Sequence, residues 1–401
     1  MGGKVFDKLK TANGEPPQVP RMPTLLYNRM IAWCTPKLEQ LFLRVVVPRD
    51  APGKTDHGDV DFLVEGIRDP VLAEAPQGKL WETLKTILGA ELHVDRNQSQ
   101  SFGIPHPEIP GAYVSVDVEL TPGNGTSDSA ALFEWTEFMK GHGDLVQIIG
   151  ITHRGLGLVC NDRGLYVRVE QIESYDKKKA LLFLTRDAQM AMQFYGFDVK
   201  KYHQGFATEK ELFDWVAAGR FFSRALFESR VEKANDRSRE RKRPMYNRFV
   251  TEYMPNIPYI PEKYIYVDDK WTREKVLHYA LGTFDRLPQY NAMMGEHHAK
   301  EAEDELWIAV KAIIHAEGIE GKALASIVRA LRRWVIFVNG SPQIASKPAL
   351  IMLEHYPTWS TQISTIEACL WVKENWREVQ SREKEMPKAK PGEYSPYART
   401  V

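Results

Sequence analysis

The stretch Gly58-Asp59-Val60-Asp61-Phe62-Leu63-Val64 determines how the N-terminal half of this chain is interpreted. An apolar run that contains an Asp-x-Asp pair predicts a β-strand. Because side chains alternate between the two faces of a strand, Asp59 and Asp61 point to the same side. Two carboxylates on one face repel each other unless a cation lies between them, and a divalent metal ion is the commonest such cation in a nucleotide enzyme. The alternative is a solvated strand end that carries two surface acids.

A second predicted strand supplies further carboxylates. The stretch Tyr113-Val114-Ser115-Val116-Asp117-Val118-Glu119-Leu120 alternates strictly between polar and apolar residues. Its polar face carries Asp117 and Glu119. Three carboxylates on adjacent strands can hold two Mg²⁺ ions about 4 Å apart, which bridge a nucleoside triphosphate and activate an attacking hydroxyl. The alternative is an ordinary half-exposed strand whose acids serve solubility.

These two motifs together resemble the nucleotidyltransferase superfamily, which includes DNA polymerase beta, poly(A) polymerases and CCA-adding enzymes. The resemblance covers about residues 40–150. It implies that Asp59, Asp61 and Asp117 are catalytic residues and metal ligands. It further implies Mg²⁺ or Mn²⁺ as cofactor, a nucleoside triphosphate (NTP) as substrate, and transfer of the nucleoside monophosphate to a hydroxyl with release of pyrophosphate.

The loop before the acidic pair departs from that family. Members typically carry a Gly-Gly or Gly-Ser pair at the start of a helix before the acids, whereas residues 47–58 of this chain are too Pro-rich for a helix. The stretch resembles a divergent branch of the superfamily. Arg49 and Lys54 could replace the missing phosphate contacts. The residues of this loop that we predict to bind the nucleotide are Arg49, Gly53, Lys54, Thr55 and Gly58.

The same loop offers a rival motif. Gly53-Lys54-Thr55 follows a predicted strand at residues 41–47 and is similar to the end of a P-loop. A P-loop requires Gly where Pro48 stands, and it requires a helix directly after the Thr so that backbone N–H groups hold phosphate. A strand is expected instead, so a P-loop NTPase is the less favoured alternative.

Composition limits the classes of protein to which this chain could belong. Lys plus Arg and Asp plus Glu both number 53, so global charge gives no sign of nucleic-acid binding. The three cysteines are far apart, which predicts neither a disulfide framework nor a cysteine metal site and favours a reducing compartment. No apolar run approaches the roughly 20 residues of a membrane helix, and the first residues lack a signal core. We therefore expect an intracellular protein, cytoplasmic or nuclear, without membrane contact.

Two segments beyond the acidic strands are candidates for ligand contacts. Residues 155–169 predict a β-hairpin, and its Arg163, Tyr166 and Arg168 could hold a base or phosphate by stacking and charge. Residues 230–248 form the clearest basic cluster of the chain. A helix this basic could follow an RNA backbone, and the alternative is a solvated helix with many ion pairs. The residues of this cluster that we predict to bind nucleic acid are Arg237, Arg239, Arg241, Lys242 and Arg243.

The predicted fold class is α+β, with an N-terminal nucleotidyltransferase-like mixed sheet flanked by helices and a mainly helical C-terminal region. One long helix is expected at residues 322–339. The predicted divisions are a flexible arm (1–20), a catalytic domain (21–175), a helical extension with the basic segment (176–254), a Pro/Tyr-rich linker (255–270), a helical domain (271–380) and a disordered tail (381–401).

The predicted function is metal-dependent nucleotidyl transfer, with an RNA 3′ end as the favoured acceptor. A protein hydroxyl and a small molecule are other acceptors. The alternative function is a catalytically inactive nucleotidyltransferase fold that binds RNA or serves assembly. The missing Gly-Ser pair favours this alternative, whereas the three acids favour the enzyme.

Overall fold

The computed structural model describes residues 4–10, 14–97, 99–230, 232–257, 271–349 and 358–386. The chain divides into two units, Met1–Leu287 and Pro288–Val401. The division falls after the helix at Arg273–Phe284, whereas the sequence analysis placed a boundary before residue 271. Arg273 explains the difference, because its guanidinium donates to Glu173, within the first unit, at 2.8 Å.

The first unit is built on a mixed five-stranded sheet, as predicted. In chain order the strands of this region are β1 (Met22–Pro23), β2 (Phe42–Val46), β3 (Asp56–His57), β4 (Val60–Ile67), β5 (Leu92–Arg96), β6 (Ser99–Pro105) and β7 (Tyr113–Leu120). The sheet has the order β2-β4-β7-β6-β5, while β1 and β3 pair separately. Strands β4 and β7 run parallel, and the other neighbours run antiparallel. The two strands predicted to carry the acids are therefore adjacent.

One face of this sheet holds the core of the first unit. It is covered by α1 (Thr24–Leu41), α2 (Pro70–Glu74) and α3 (Gln77–Leu88). Val60, Phe62 and Val64 of β4 are buried in this core together with Val116 and Val118 of β7. Because strand residues alternate, burial of this apolar set turns the acidic residues of both strands to the opposite face.

Helix α4 (Ser129–Lys140) contacts β4 of this sheet. It is followed in the chain by α5 (Leu145–His153), β8 (Leu158–Asn161), β9 (Gly164–Arg168) and β10 (Leu181–Thr185). The last three strands form an antiparallel sheet of order β10-β9-β8. The hairpin expected at residues 155–169 is confirmed as β8 and β9, joined at the turn between Asn161 and Gly164.

The rest of the first unit is helical. Its helices are α6 (Glu170–Glu173), α7 (Ala188–Tyr195), α8 (Val199–Gln204), α9 (Glu209–Ala217), α10 (Arg224–Glu228), α11 (Ala234–Lys242), α12 (Pro244–Arg248), α13 (Met254–Asn256) and α14 (Arg273–Phe284). Side-chain caps begin several of them, and Thr208 accepts a hydrogen bond from the backbone N–H of Glu211 at 3.2 Å. An aromatic cluster that includes Tyr195, Trp215 and Phe221 is buried, which stabilises this part as a packed core.

The second unit is mainly helical, as predicted. It contains α15 (Leu287–His315), α16 (Gly321–Trp334), β11 (Val335–Val338), β12 (Ser341–Ile344) and α17 (Thr365–Glu385). Trp307, Trp359 and Trp376 anchor its core. The single helix expected at residues 322–339 is wrong, because the chain leaves the helix at Trp334 and forms the β11–β12 hairpin.

The remaining predictions on organisation concern the ends and the linker. Helix α17 continues to Glu385, so the first residues of the predicted tail are helical. Most of the predicted linker (258–270) and the rest of the tail (387–401) lie outside the described residues, as do parts of the arm. In the part of the chain that the structure describes, no helix combines the length and apolar character needed to cross a membrane.

Candidate active site

The acidic pair lies where β4 begins. Asp61 is the second residue of β4 and Asp59 directly precedes the strand, so both side chains leave the face that is opposite the core. Asp61 stands in register with Asp117 of the parallel strand β7. The fold thus brings all three predicted acids to one corner of one sheet face.

A cleft opens over this corner. It has a volume of about 500 Å³, and Asp59 and Asp61 line it together with Glu119 of β7. Helix α4 contributes Lys140, whose Nζ lies 2.5 Å from a carboxylate oxygen of Glu119. Asp117 is not among the lining residues. The residues that complete the cleft wall are Tyr27, Pro48, Arg49, Asp50, Pro122, Thr136, Met139, Gly143, Asp144, Gln147, Asp162 and Arg243. We call this the acidic cleft.

Asp61 carries a strongly shifted pKa. Loss of hydration, followed by repulsion from Asp59 and Asp117, raises its pKa to about 7, while Lys140 and Lys54 oppose the rise. Asp61 keeps exposed surface, so its hydration is only partly lost and solvent screens part of the repulsion. A carboxylate in this setting gains more from a nearby cation than one in water does.

Asp117 has a different environment from the acidic pair. It is 5 % exposed, and its Oδ2 accepts a hydrogen bond from Nη2 of Arg96 at 2.8 Å. The hydroxyl groups of Ser101 and Ser115 lie near enough to lower its pKa, although neither completes a hydrogen bond to the buried Oδ1. Burial raises the pKa of Asp117, against the opposing effects of Ser101 and Arg96. Asp117 is therefore a neighbour of Asp61 that is already paired with a cation of the protein.

The Pro-rich loop forms one rim of the acidic cleft. Asp50 accepts from Nζ of Lys54 at 2.5 Å and from Nδ1 of His57 at 2.9 Å. The His57 ring is buried and stacks on Tyr27, with ring centroids 3.9 Å apart. This network holds Lys54 beside the acids without placing it on the cleft wall. Arg49 does line the cleft, and its Nη1 donates to the carbonyl of Tyr202 at 3.4 Å.

The other loop residues that were predicted to bind the nucleotide do not line the acidic cleft. Gly53 adopts a left-handed φ of +72°, Gly58 is buried, and Thr55 is exposed. After Thr55 the chain enters β3 rather than a helix. A P-loop has a helix directly after the Thr, and its backbone N–H groups hold phosphate. No helix begins at this point, so Gly53-Lys54-Thr55 lacks the backbone geometry of a P-loop.

A tight contact fixes the loop to the turn between α4 and α5. The backbone N–H of His142 donates to the carbonyl of Arg49 at 2.6 Å. Gly143 has a φ of +67°, and a Cβ at this position would lie 2.9 Å from Cβ of Ala51. His142 itself is buried against Tyr202 and Phe206, and burial lowers its pKa to about 4. It is therefore neutral at pH 7.

The hairpin residues predicted to bind nucleotide lie outside the acidic cleft. Arg163 is exposed at the turn, with Nε 3.9 Å from a carboxylate oxygen of Asp162. Tyr166 packs edge-on against Phe183, with centroids 5.4 Å apart. Arg168 lines a second, neighbouring cleft. Asp162 is the hairpin residue that does reach the acidic cleft.

The basic segment is divided between several surroundings. Arg243 lines the acidic cleft, where its Nη1 donates to Oδ1 of Asp144 at 2.7 Å. Arg239 lies 3.5 Å from the buried Asp236, and Arg237 lies 3.8 Å from Glu232. Arg241 and Lys242 are exposed. The five predicted nucleic-acid contacts thus do not share one face, and ion pairs engage three of them.

Four acidic residues of the cleft, Asp50, Glu119, Asp144 and Asp162, were not assigned a role from the sequence. Glu119 had a signal, because it follows Asp117 at the strand spacing that keeps both on one face. Asp50 and Asp144 lie in irregular segments, where spacing does not predict the direction of a side chain. Asp144 accepts from Arg243 of a segment far along the chain, and no local pattern predicts such a pair.

Two carboxylates of the cleft could hold a divalent ion if a substrate supplied its other ligands. Within the described residues, no group of three His, Cys, Asp or Glu side chains stands ready to hold a metal ion. Mg²⁺ is commonly bound through one or two carboxylates plus substrate phosphates, and it keeps several waters. Asp59 and Asp61 are the two carboxylates that such an ion would use, because Asp117 is paired with Arg96.

Comparison with protein-family models and with curated proteins matched none of them to this chain. The functional interpretation therefore rests on the geometry and chemistry of the cleft.

Proposed function

We propose that the first unit is a metal-dependent nucleotidyltransferase, which moves a nucleoside monophosphate from an NTP to a hydroxyl acceptor and releases pyrophosphate. The observation that carries the proposal is the acidic pair, since Asp59 and Asp61 face one cleft of about 500 Å³ and the pKa of Asp61 is raised to about 7. A divalent cation relieves this repulsion. Nucleoside triphosphates bring such a cation with them into protein sites.

The cleft also supplies groups for the triphosphate. A Mg²⁺ or Mn²⁺ ion bound by Asp59 and Asp61 would offset charge on the phosphates and lower the pKa of the attacking hydroxyl. Arg49 and Arg243 line the same cleft, and a guanidinium can bind phosphate through two N–H donors. Both arginines are held by protein oxygens, so little ordering is needed when substrate binds.

The proposed reaction is an in-line displacement. The acceptor oxygen forms a bond to the α-phosphorus while the bond to the bridging oxygen of the β-phosphate breaks, and pyrophosphate leaves with that electron pair. The hydroxyl proton passes to a carboxylate. The acceptor is a carboxylate of the cleft wall, such as Glu119, because Asp117 is buried and does not line the cleft.

An RNA 3′ end is the favoured acceptor. Arg243 belongs both to the acidic cleft and to a smaller pocket along α11 that includes Lys242. Cations that continue outward from a reaction site can track a phosphodiester backbone. The basic rim of the cleft therefore supports a nucleic acid over an uncharged acceptor.

A second function is favoured by one specific observation. Arg96 occupies Oδ2 of Asp117, as expected for a nucleotidyltransferase fold that has lost its third metal ligand and binds RNA or serves assembly. Salt-dependent RNA binding without affinity for Mg²⁺-nucleotide would favour this function.

The test is a transfer assay with purified full-length protein, Mg²⁺ or Mn²⁺, each of four labelled ribonucleoside triphosphates and a pool of small RNAs. The control is Asp59→Asn/Asp61→Asn, which keeps the side-chain shapes and removes both charges. Label that reaches RNA only with the unmodified protein supports the enzyme. RNA binding by both proteins without transfer would replace the enzyme by the binding module.

A further inference from the structure

A second cleft lies next to the acidic cleft and has the opposite charge. It has a volume of about 570 Å³, and Met139 and Gln147 belong to the walls of both clefts. Its cationic residues come from β9, α11, α14 and the segments between helices. Six of them are Arg154, Arg168, Arg230, Lys233, Arg239 and Arg273. Lys177 is a further cation of its wall. We call this the basic cleft.

The carboxylates nearby offset only part of this charge. Asp236 receives both terminal nitrogens of Arg154, at 3.1 and 2.8 Å, and also pairs with Arg239. Glu173 pairs with Arg273 at 2.8 Å and with Arg168 at 3.5 Å. Glu170 lies 3.8 Å from Arg273 as well. Three carboxylates thus hold four guanidinium groups in place, and positive charge remains in excess among the seven cations of the wall.

Three of the cations make no ion pair within 4 Å with a carboxylate of the described residues. They are Lys177, Arg230 and Lys233. Arg230 lies over the Phe227 ring at 3.7 Å and donates Nη1 to the carbonyl of Phe227 at 2.7 Å. Partial loss of hydration and the charge of Arg154 lower the pKa of Lys233, while the carboxylates of Asp236 and Glu173 oppose this change. The cleft thus gathers like charges that repel one another in the free protein.

Two N–H donors at the cleft also lack acceptors. The Nε atoms of Arg230 and Arg273 are buried without a hydrogen-bond partner in the described part of the chain. A buried donor on a charged group is costly to leave unpaired. A ligand rich in negative charge would offset the charge of these two guanidinium groups, although it would bind them through their other nitrogens.

The shape and lining of the cleft distinguish between anionic ligands. The cations converge from segments that are far apart in sequence, rather than following one line along a surface. The described wall contains no aromatic side chain, its apolar members being Met139, Val146, Leu158 and Val159. Proteins that bind single-stranded nucleic acid generally stack bases on aromatic rings. The basic cleft lacks that feature and offers charge alone.

We propose that the basic cleft is a binding site for a compact polyphosphate, a small molecule that carries several clustered phosphate groups. The site is separate from the acidic pair and does not require nucleotidyl transfer. A nucleotide, an inorganic polyphosphate and an inositol polyphosphate share this chemistry, and all three would bind through the same guanidinium and ammonium groups.

The test is calorimetric titration of the full-length protein with inorganic tripolyphosphate in the presence of EDTA. Lys177→Glu/Lys233→Glu reverses two cations that make no ion pair with a carboxylate of the described residues. Lys178→Glu/Lys79→Glu makes the same change of charge at two exposed residues outside the cleft. We expect the first variant to weaken binding about tenfold or more, and the second less than twofold, because direct charged contacts exceed screened ones.

Two further arms identify the site and the ligand. The variant Asp59→Asn/Asp61→Asn should still bind tripolyphosphate. If it did not, the anion would bind in the acidic cleft instead, and the proposal would be overturned. Titrations with inositol hexakisphosphate and ATP rank the possible sources. Equal weakening by the two charge variants would overturn the proposal. It would also be overturned if Lys177→Glu/Lys233→Glu reduced binding of a single-stranded RNA oligomer while leaving tripolyphosphate unaffected.

Discussion

The acidic cleft and the basic cleft share two wall residues, Met139 and Gln147. Each cleft gathers charges of one sign, negative in the first and positive in the second. In the acidic cleft, Asp59 and Asp61 repel each other at the edge of a rigid sheet. In the basic cleft, Asp236 and Glu173 position arginines that remain in excess. Like charges fixed on a rigid frame cost stability until a counter-charge binds. From this comparison we propose that a ligand completes each cleft, a cation in one and a phosphate group in the other.

The sharpest test of the acidic cleft ranks its carboxylates by their effect on transfer. We expect Asp61→Asn to reduce the rate by about a thousandfold or more, because a metal ligand is lost. Glu119→Gln should cost about tenfold, since it leaves Lys140 without its partner. Asp162 of the hairpin also lines this cleft. Asp162→Asn is therefore the matched control, and it should change the transfer rate less than twofold. Equal losses in all three variants would contradict the assignment.

The pairing of Asp117 separates it from the other two acids. We expect Arg96→Ala to lower the free energy of unfolding by about 2 kcal/mol, because it leaves a buried carboxylate without its charged partner. Arg21→Ala, which removes an exposed ion pair with Asp56, should cost less than about 0.5 kcal/mol. Urea unfolding at pH 7 measures both. A stable Arg96→Ala variant would mean that Asp117 is not held by this contact.

The fit of the Pro-rich loop against the α4–α5 turn can be broken at one glycine. We expect Gly143→Val to cost about 1–3 kcal/mol and to reduce transfer, because the φ of +67° and the approach of Ala51 leave no room for a side chain. Gly282→Ala in α14 meets nothing within 4 Å, and it should be neutral or slightly stabilising. Thermal unfolding and the transfer assay report the two effects. Full activity of Gly143→Val would show that the rim need not be fixed.

The smallest expected effect is the pH dependence of stability that Asp61 causes. The folded state raises the pKa of Asp61 from 3.8 to about 7, so between these values the folded protein binds more protons than the unfolded chain. The free energy of unfolding should therefore fall as pH rises through this range. Asp61→Asn should remove this part of the slope and be more stable at pH 8 by about 1 kcal/mol, after allowance for solvent screening. Unchanged slopes between pH 4.5 and 8 would contradict a raised pKa.

The sequence predicted those parts of the fold that rest on local periodicity. Alternation along β4 and β7 was enough to place Asp59, Asp61 and Asp117 on one face. The β11–β12 hairpin was missed because the strong helical periodicity of residues 321–334 runs directly into it. Asn339-Gly340, with φ values of +49° and +77°, is a hairpin turn signal that should have ended the predicted helix.

The parts of the site that the sequence did not predict depend on contacts between distant residues. Arg96 of β5 donates a hydrogen bond to Asp117 of β7. This contact occupies the carboxylate that was expected to ligate a metal ion together with Asp59 and Asp61. The basic cleft brings together Arg154, Arg230 and Arg273. These residues lie far apart in the sequence and share no motif. Periodicity gives the face of an element, but only packing shows which elements face each other.

The measurement that tests the central claim most directly follows the two ends of the triphosphate separately. The protein is incubated with RNA, Mg²⁺ and NTP labelled either at the α- or at the γ-phosphate. Nucleotidyl transfer predicts α-label in the RNA and γ-label in pyrophosphate, both lost in Asp61→Asn. Release of γ-label as inorganic phosphate, or RNA binding with neither label transferred, would contradict the account.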